Sequence, residues 1–270
     1  MSTDRFHQYA PVLHELTDAA FADAGRIDPR LSIARDGKLT VHYAPFDHIE
    51  TRARLVLVGL TPGHQQMRIA LATARDALLD GAGMAEASAQ AKRTASFAGP
   101  MRNTLSKMLD HIGLQTVLGY ASCQEIWDIP GAVHYTSALR YPVFVNGKNY
   151  SGTPSPLKRP LLRQFIENEL AAEARMLPNA IWLPLGGGAA EALRHLVEHG
   201  VLARERVFDG LPHPSGANAE RVAYFTRRKK RQDLSSKTSP DRIDANRRAL
   251  EERVAQLRAE YNSGGPHAPA

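Results

Sequence analysis

Apolar positions along this chain follow two different periods. Phe6, Tyr9, Leu13, Leu16 and Ala20 recur every three or four residues, which predicts a helix over 4–24. From Leu31 to Tyr43 apolar side chains alternate with polar ones on either side of Asp36-Gly37, which predicts a β-hairpin. Leu55-Val-Leu-Val-Gly-Leu60 is a continuous apolar run stopped by Thr61-Pro62-Gly63. That is the pattern of a parallel strand buried on both faces and feeding a tight loop. Residues 64–80 and 84–94 are Ala-rich and read as helices split at Asp80-Gly-Ala-Gly83. Met101, Leu105, Met108, Leu109 and Ile112 form one helical stripe, closed by Gly113.

The second half continues the alternation. His134–Tyr141 reads as a strand ended by Pro142, and 143–159 as a Gly/Pro/Ser/Lys-rich loop. A helix is predicted over 160–177, and a third strand over Ala180–Leu185. That strand turns at Gly186-Gly-Gly188 into a helix ending at Gly200. Val207 and Phe208 suggest a short fourth strand. Ser239-Pro240 opens a last helix over about 240–261, with Ile243, Leu250, Val254 and Leu257 on one side. Strands alternating with helices predict an α/β fold, a parallel sheet covered on both faces with its ligand at the carboxyl ends of the strands. The organisation expected is an N-terminal helix and hairpin extension (1–50), a main α/β domain (51–235), a C-terminal helix packed on it (236–262) and a disordered tail (263–270).

Charge and cysteine usage narrow the classes. Net charge is +6, and Arg227-Arg228-Lys229-Lys230-Arg231 concentrates five basic residues, which favours a polyanionic partner. The single cysteine, Cys123, excludes an intrachain disulfide framework and a Cys-based metal or iron–sulfur cage. The first residues are polar and no apolar run reaches membrane-spanning length, so a cytoplasmic protein without a membrane partner is expected, as a monomer. No nucleophile elbow, Walker A sequence or H-E-x-x-H occurs, and Gly186-Gly-Gly188 is not a dinucleotide fingerprint. No metal or cofactor is expected.

Three short stretches carry candidate chemistry. Gly59-Leu60-Thr61-Pro62-Gly63 follows the first buried strand, where a glycine and a Pro-Gly turn let backbone N–H groups approach a ligand. Phe97-Ala-Gly-Pro100 places an aromatic ring before a helix, where it can stack a flat ligand or fill the core. His213-Pro-Ser-Gly216 fixes the backbone around one histidine, which suits a donor to a developing oxyanion better than a chance core histidine.

In this order on an α/β chain, these stretches resemble the uracil-DNA glycosylase superfamily. Its first motif is matched by 59–63 and its closing His-Pro-Ser motif by 213–215. Its Phe-x-Gly element is matched by 97–99, and its base-reading strand by His134-Tyr-Thr-Ser-Ala-Leu-Arg140. The resemblance runs from about residue 55 to 225. It implies a three-layer α/β/α sandwich around a mainly parallel four-stranded sheet. It also implies a monofunctional DNA glycosylase that flips a deaminated or altered base and hydrolyses its N-glycosidic bond in base-excision repair. His213 would donate to the departing base and Thr61 would position water. Gly59, Leu60, Pro62, Gly63, Phe97 and Ser137 would line the base pocket. Ser215 would hold a backbone phosphate, the segment from Gly216 through Asn218 to Ala219 would press into the minor groove, and Arg227, Arg228, Lys229, Lys230 and Arg231 would add phosphate affinity.

The departures are specific. Thr61 stands where the most active members have Asp or Asn, and Ser137 where they have an Asn that reads the base edge. Ser cannot make the paired donor and acceptor contacts of an amide. Gly63 replaces a bulkier blocking residue, which predicts room for a larger base. The four cluster-binding cysteines of the branch with the Phe-x-Gly element are absent. The alternative is a catalytically weak or inactive nucleic-acid or nucleotide-binding module on the same fold.

Overall fold

In a computed structural model, which describes residues 5–20, 27–97 and 100–262, seven strands are defined among those residues. They are β1 (Ser32–Asp36), β2 (Leu39–His42), β3 (Leu55–Gly59), β4 (Val133–Ser137), β5 (Val143–Val145), β6 (Lys148–Asn149) and β7 (Ile181–Pro184). The helices are α1 (Phe6–Glu15), α2 (His64–Leu79), α3 (Met84–Ala95), α4 (Pro100–His111), α5 (Leu114–Leu118), α6 (Pro160–Phe165), α7 (Ala171–Met176), α8 (Gly187–Glu198), α9 (Ala219–Phe225) and α10 (Pro240–Asn262). A π-helical turn, Ile166–Leu170, joins α6 to α7.

The apolar runs build a parallel sheet in the order β4-β3-β7. Every residue of β3 is buried, so the sheet is covered on both sides. Leu55, Leu57, Val133, Tyr135, Ile181 and Leu183 point to one face, into a core shared with α4, α5, α9 and α10. Val56, Val58 and Trp182 point to the other, into a core with α1, α2, α3, α7 and α8. The alternation of side chains across a strand produces this division.

The predicted fourth parallel strand does not form. Val207 makes a single parallel bridge to Trp182, and the Phe208 N–H donates to the Trp182 carbonyl at 2.8 Å. The chain then reaches Gly210 at a φ of 123° and the prolines 212 and 214, which have no N–H to extend a ladder. Among the described residues the central sheet therefore has three strands.

The predicted 143–159 loop is also corrected. Its first part is a hairpin, β5 and β6, turning at Asn146-Gly147 with φ of 50° and 73°. Asn-Gly between alternating residues is a strong signal for such a turn. β5 pairs antiparallel with β2, giving a second sheet in the order β1-β2-β5-β6. The first hairpin turns at Gly37-Lys38, one residue later than predicted. α1 ends at Glu15, short of the helix predicted to residue 24; residues 21–26 lie outside those described. Phe6, Tyr9 and Leu13 of α1 join the same core as α2 and α3, with Tyr9 stacked on Tyr43 at 3.9 Å between ring centres. The predicted disordered tail, 263–270, lies outside the described residues.

Candidate functional site

Parallel pairing sets Gly59, the last residue of β3, beside Ser137, the last of β4. Beyond them the Ala138 N–H donates to the Gly59 carbonyl at 2.8 Å and the Leu139 N–H to the Leu60 carbonyl at 2.9 Å. The first motif is thus fastened to the exit of β4. A cleft of about 270 Å³ opens there and brings together Gly59, Leu60, Thr61, Pro62, Phe97, Ser137 and His213. Residues separated by up to 154 positions in sequence converge there.

Gly63 is not in the lining. Its N–H donates to Gln66 Oε1 at 2.9 Å at the start of α2. A Cβ at this position would stand 3.3 Å from Asn149 Nδ2 of β6. The space expected beside Gly63 is occupied by the β5–β6 hairpin, so any room for a large base comes from elsewhere in the cleft.

His213 is half-buried, and burial lowers its imidazole below the ordinary value of 6.5, leaving it neutral at pH 7. The Ser215 N–H points at His213 Nδ1 at 3.2 Å, so Nδ1 is the acceptor and the ring proton sits on Nε2. Gly186, at a φ of 101°, lies against the ring, and a Cβ there would stand in ordinary contact with His213 Cδ2 at 3.5 Å. Pro212 and Pro214 fix the backbone on either side.

Thr61 is engaged differently from expectation. Its hydroxyl donates to the Tyr141 carbonyl at 3.0 Å and accepts the Val143 N–H at 3.2 Å. It clamps the motif loop to the start of β5, and little of the hydroxyl remains to orient a water. Phe97 is buried at a φ of 49°, a conformation few non-glycine residues hold without surrounding constraint. Its ring lies 3.7 Å from where a Gly59 Cβ would stand, an ordinary contact, while Ser137 Oγ, at 3.3 Å, is the tighter neighbour of that position. Ala98 and Gly99 of that element lie outside the described residues.

The pattern-based reading missed Lys92 and Thr136, which also line the cleft. Lys92 leaves α3 on its buried side, beside Ser88, Ala91 and Ala95. Its Nζ donates to the His48 carbonyl at 2.6 Å. Burial pushes the ammonium down to about 8, against the pull of Glu173. A lysine on a stripe of small buried residues was the available signal. Thr136 is buried and its Oγ1 has no hydrogen-bond partner. No carboxylate belongs to the described lining.

Behind the floor lies a buried charge cluster. Arg140 reaches Glu173 Oε1 at 2.5 Å and Glu169 Oε2 at 2.8 Å. His134 Nε2 lies 3.0 Å from Glu173 Oε2. Burial alone would raise the Glu173 carboxyl, but the Arg140 and Lys92 charges hold it well below the usual carboxylate range. Asp47 accepts from the Tyr141 hydroxyl at 2.6 Å and the Tyr43 hydroxyl at 3.0 Å.

The residues expected to touch DNA divide into two groups. Ser215, Gly216 and Asn218 sit beside His213, with Asn218 Nδ2 donating to Ser215 Oγ at 3.1 Å and Arg221 donating to Asn218 Oδ1 at 2.7 Å. The basic run is largely neutralised within the molecule. Arg227 pairs with Glu251 at 3.8 Å, Lys229 with Glu220 at 2.9 Å and Arg231 with Asp241 at 2.7 Å. Arg228 donates to Thr226 Oγ1 at 3.0 Å. A groove of about 590 Å³ runs past His213 and Asn218, and carries Arg194, Arg221 and Arg242. Arg194 is itself paired with Asp209 at 2.9 Å. These arginines are scattered in sequence, which is why no run announced them.

Among the described residues no helix is long and apolar enough to cross a membrane, and no group of His, Cys, Asp and Glu is arranged to hold a metal ion. No protein-family model matches the chain. No solved structure matches it either. It is 32% identical over 226 residues to the uncharacterized protein YoxB of Bacillus subtilis (strain 168), a match covering 82% of this chain and 88% of that protein. With a third of the positions shared over most of both lengths, the chain belongs to the same family as YoxB.

Proposed function

We propose that this protein is a DNA glycosylase-like N-glycosyl hydrolase built on a three-layer sandwich, acting on a flipped, deaminated base. The observation that carries the reading is His213, a neutral ring with its Nε2 proton free to donate, in one cleft with Gly59–Pro62, Phe97 and Ser137. A base enters between Phe97 and the loop after β3. The bond from the sugar C1′ to the base nitrogen breaks, and its electron pair leaves with the base. Nε2–H of His213 donates to a base carbonyl as that oxygen gains negative charge. Water adds to the sugar cation and gives up a proton to solvent. With no carboxylate in the described lining, that cation is stabilised by the DNA phosphates more than by the protein.

One observation favours a second reading, a base-binding module without turnover. The Thr61 hydroxyl, in the position of the water-orienting residue, is occupied by Tyr141 and Val143. A single-turnover assay separates the two. Purified protein is mixed with oligonucleotides bearing uracil, hypoxanthine or xanthine, and alkali reveals abasic sites. Base release is expected, with His213→Ala slowing it by about 10²- to 10³-fold while DNA affinity holds. Salt-sensitive binding with no abasic sites on any substrate would leave the binding module. Neither binding nor release would remove both.

A further inference from the structure

We propose that Gln66, at the start of α2, holds the attacking water, the task that the resemblance gives to Thr61. This rests on the hydrolase reading of the cleft and names the group behind its second step. Thr61 has committed its hydroxyl proton to the Tyr141 carbonyl and a lone pair to the Val143 N–H. Gln66 lines the same cleft as Thr61 and His213 and is half-buried there. It is the third residue of α2, and a helical side chain leans back toward the start of its helix, here over the loop 59–63. Its Oε1 accepts the Gly63 N–H at 2.9 Å. A donor needs an acceptor, so that bond settles which branch of the amide is oxygen. The Gly63 side of the amide lies outside the cleft lining, and Nε2 is the other branch. Its two N–H groups have no protein acceptor among the described residues, and they are not sealed from solvent.

Other polar side chains of the lining are engaged elsewhere. The Tyr150 hydroxyl donates to the Pro154 carbonyl, Lys92 Nζ to the His48 carbonyl, and Arg140 is gripped by Glu169 and Glu173. His213 is aimed at the departing base. A water that accepts the Gln66 Nε2–H uses one lone pair for that bond and keeps the other for C1′. The base leaves with the electron pair of its bond to C1′. The water oxygen then forms the new bond to C1′, and its surplus proton passes to solvent. The sugar is already cationic when the water adds, so the water needs placing more than it needs a base. A neutral donor serves this step where the described lining holds no carboxylate. The bond that caps α2 also fixes the amide before a substrate arrives.

The test is single-turnover base release on the oligonucleotides above, with DNA affinity and thermal unfolding measured on the same proteins. Gln66→Met keeps the length of the side chain and removes the amide. It is expected to slow release about 10- to 100-fold without a change in DNA affinity. Gln66→Glu keeps an oxygen for the Gly63 N–H, and glutamate at the third helical position caps as well as glutamine does. A role confined to the helix start therefore predicts wild-type release at every pH. A side chain that holds the water predicts otherwise, because an ionised carboxylate can take the water's proton. The ratio of the Gln66→Glu rate to the wild-type rate should climb as pH rises through about 4.3. His213, Lys92 and the other titratable groups of the lining are common to both proteins, so their own titrations cancel in that ratio. Wild-type release by Gln66→Met, or a flat ratio for Gln66→Glu, overturns the proposal and leaves the hydrolase standing. No abasic sites from the wild-type protein on any substrate overturns both. If Gln66→Met does not fold, the Gln66→Glu ratio decides.

Discussion

At the scale of single residues, Gly186 and His213 depend on one another. Gly186 holds a φ of 101°, and the imidazole ring rests against the face where a side chain would project. Gly186→Ala therefore meets backbone strain, while its new Cβ would only come into ordinary contact with the ring. A loss of about 1–3 kcal/mol in urea unfolding is expected. On the proposed function base release should fall with it, because the strained turn at 186 packs directly against the His213 ring. Full release with a lower unfolding midpoint would mean the ring finds its place without the glycine. Much of this site was visible in the sequence, since glycine, proline and a lone histidine in tight succession have few structural uses. The fate of Thr61 was not visible. Its partners, Tyr141 and Val143, are 80 and 82 residues away and are chosen by strand pairing. Lys92 was legible only as an oddity, one cation on a stripe otherwise made of Ala and Ser.

At the scale of elements, periodicity was a good guide where a helix covers a core and a poorer one where a strand lies at an edge. The stripe of Ile243, Leu250, Val254 and Leu257 in α10 is buried against the face that also holds Leu109, Leu114 and Phe225. Leu250→Ala should cost about 2–5 kcal/mol and lower Tm by several degrees in calorimetry. No change in Tm would show that α10 rests on the surface instead of completing the core. The hairpin of β5 and β6 was hidden in a segment dominated by Gly, Pro and Lys, although its turn, Asn146-Gly147, has the chemistry of a two-residue hairpin. Val207 and Phe208 had the composition of a strand. The downstream prolines withheld the donors a ladder needs, and one bridge is all that forms.

At the scale of the whole molecule, charge is distributed differently from its order in sequence. The +6 excess looked concentrated in 227–231, yet three of those five residues are answered by Glu251, Glu220 and Asp241. The groove beside His213 brings Arg221 and Arg242 next to the cleft mouth instead. On the proposed function, DNA affinity measured by anisotropy should therefore respond more to Arg221→Ala with Arg242→Ala than to Arg228→Ala with Lys230→Ala. The first pair should also flatten the salt dependence by about one unit of slope per lost phosphate contact. The opposite ranking would return the interface to the basic run.

The cluster behind the cleft constrains how such a chain can change. Arg5, Lys92 and Arg140 face Asp47, Glu169 and Glu173 in a buried space whose charges come from the start of the chain and from its middle. Removing one member strands another without its counter-ion, far from solvent. Substitution there cannot proceed one step at a time. In descendants of the ancestor shared with YoxB, Arg140 and Glu173 should be inherited or lost as a couple, and their pattern of joint replacement would record the history of this interior more faithfully than the surface does.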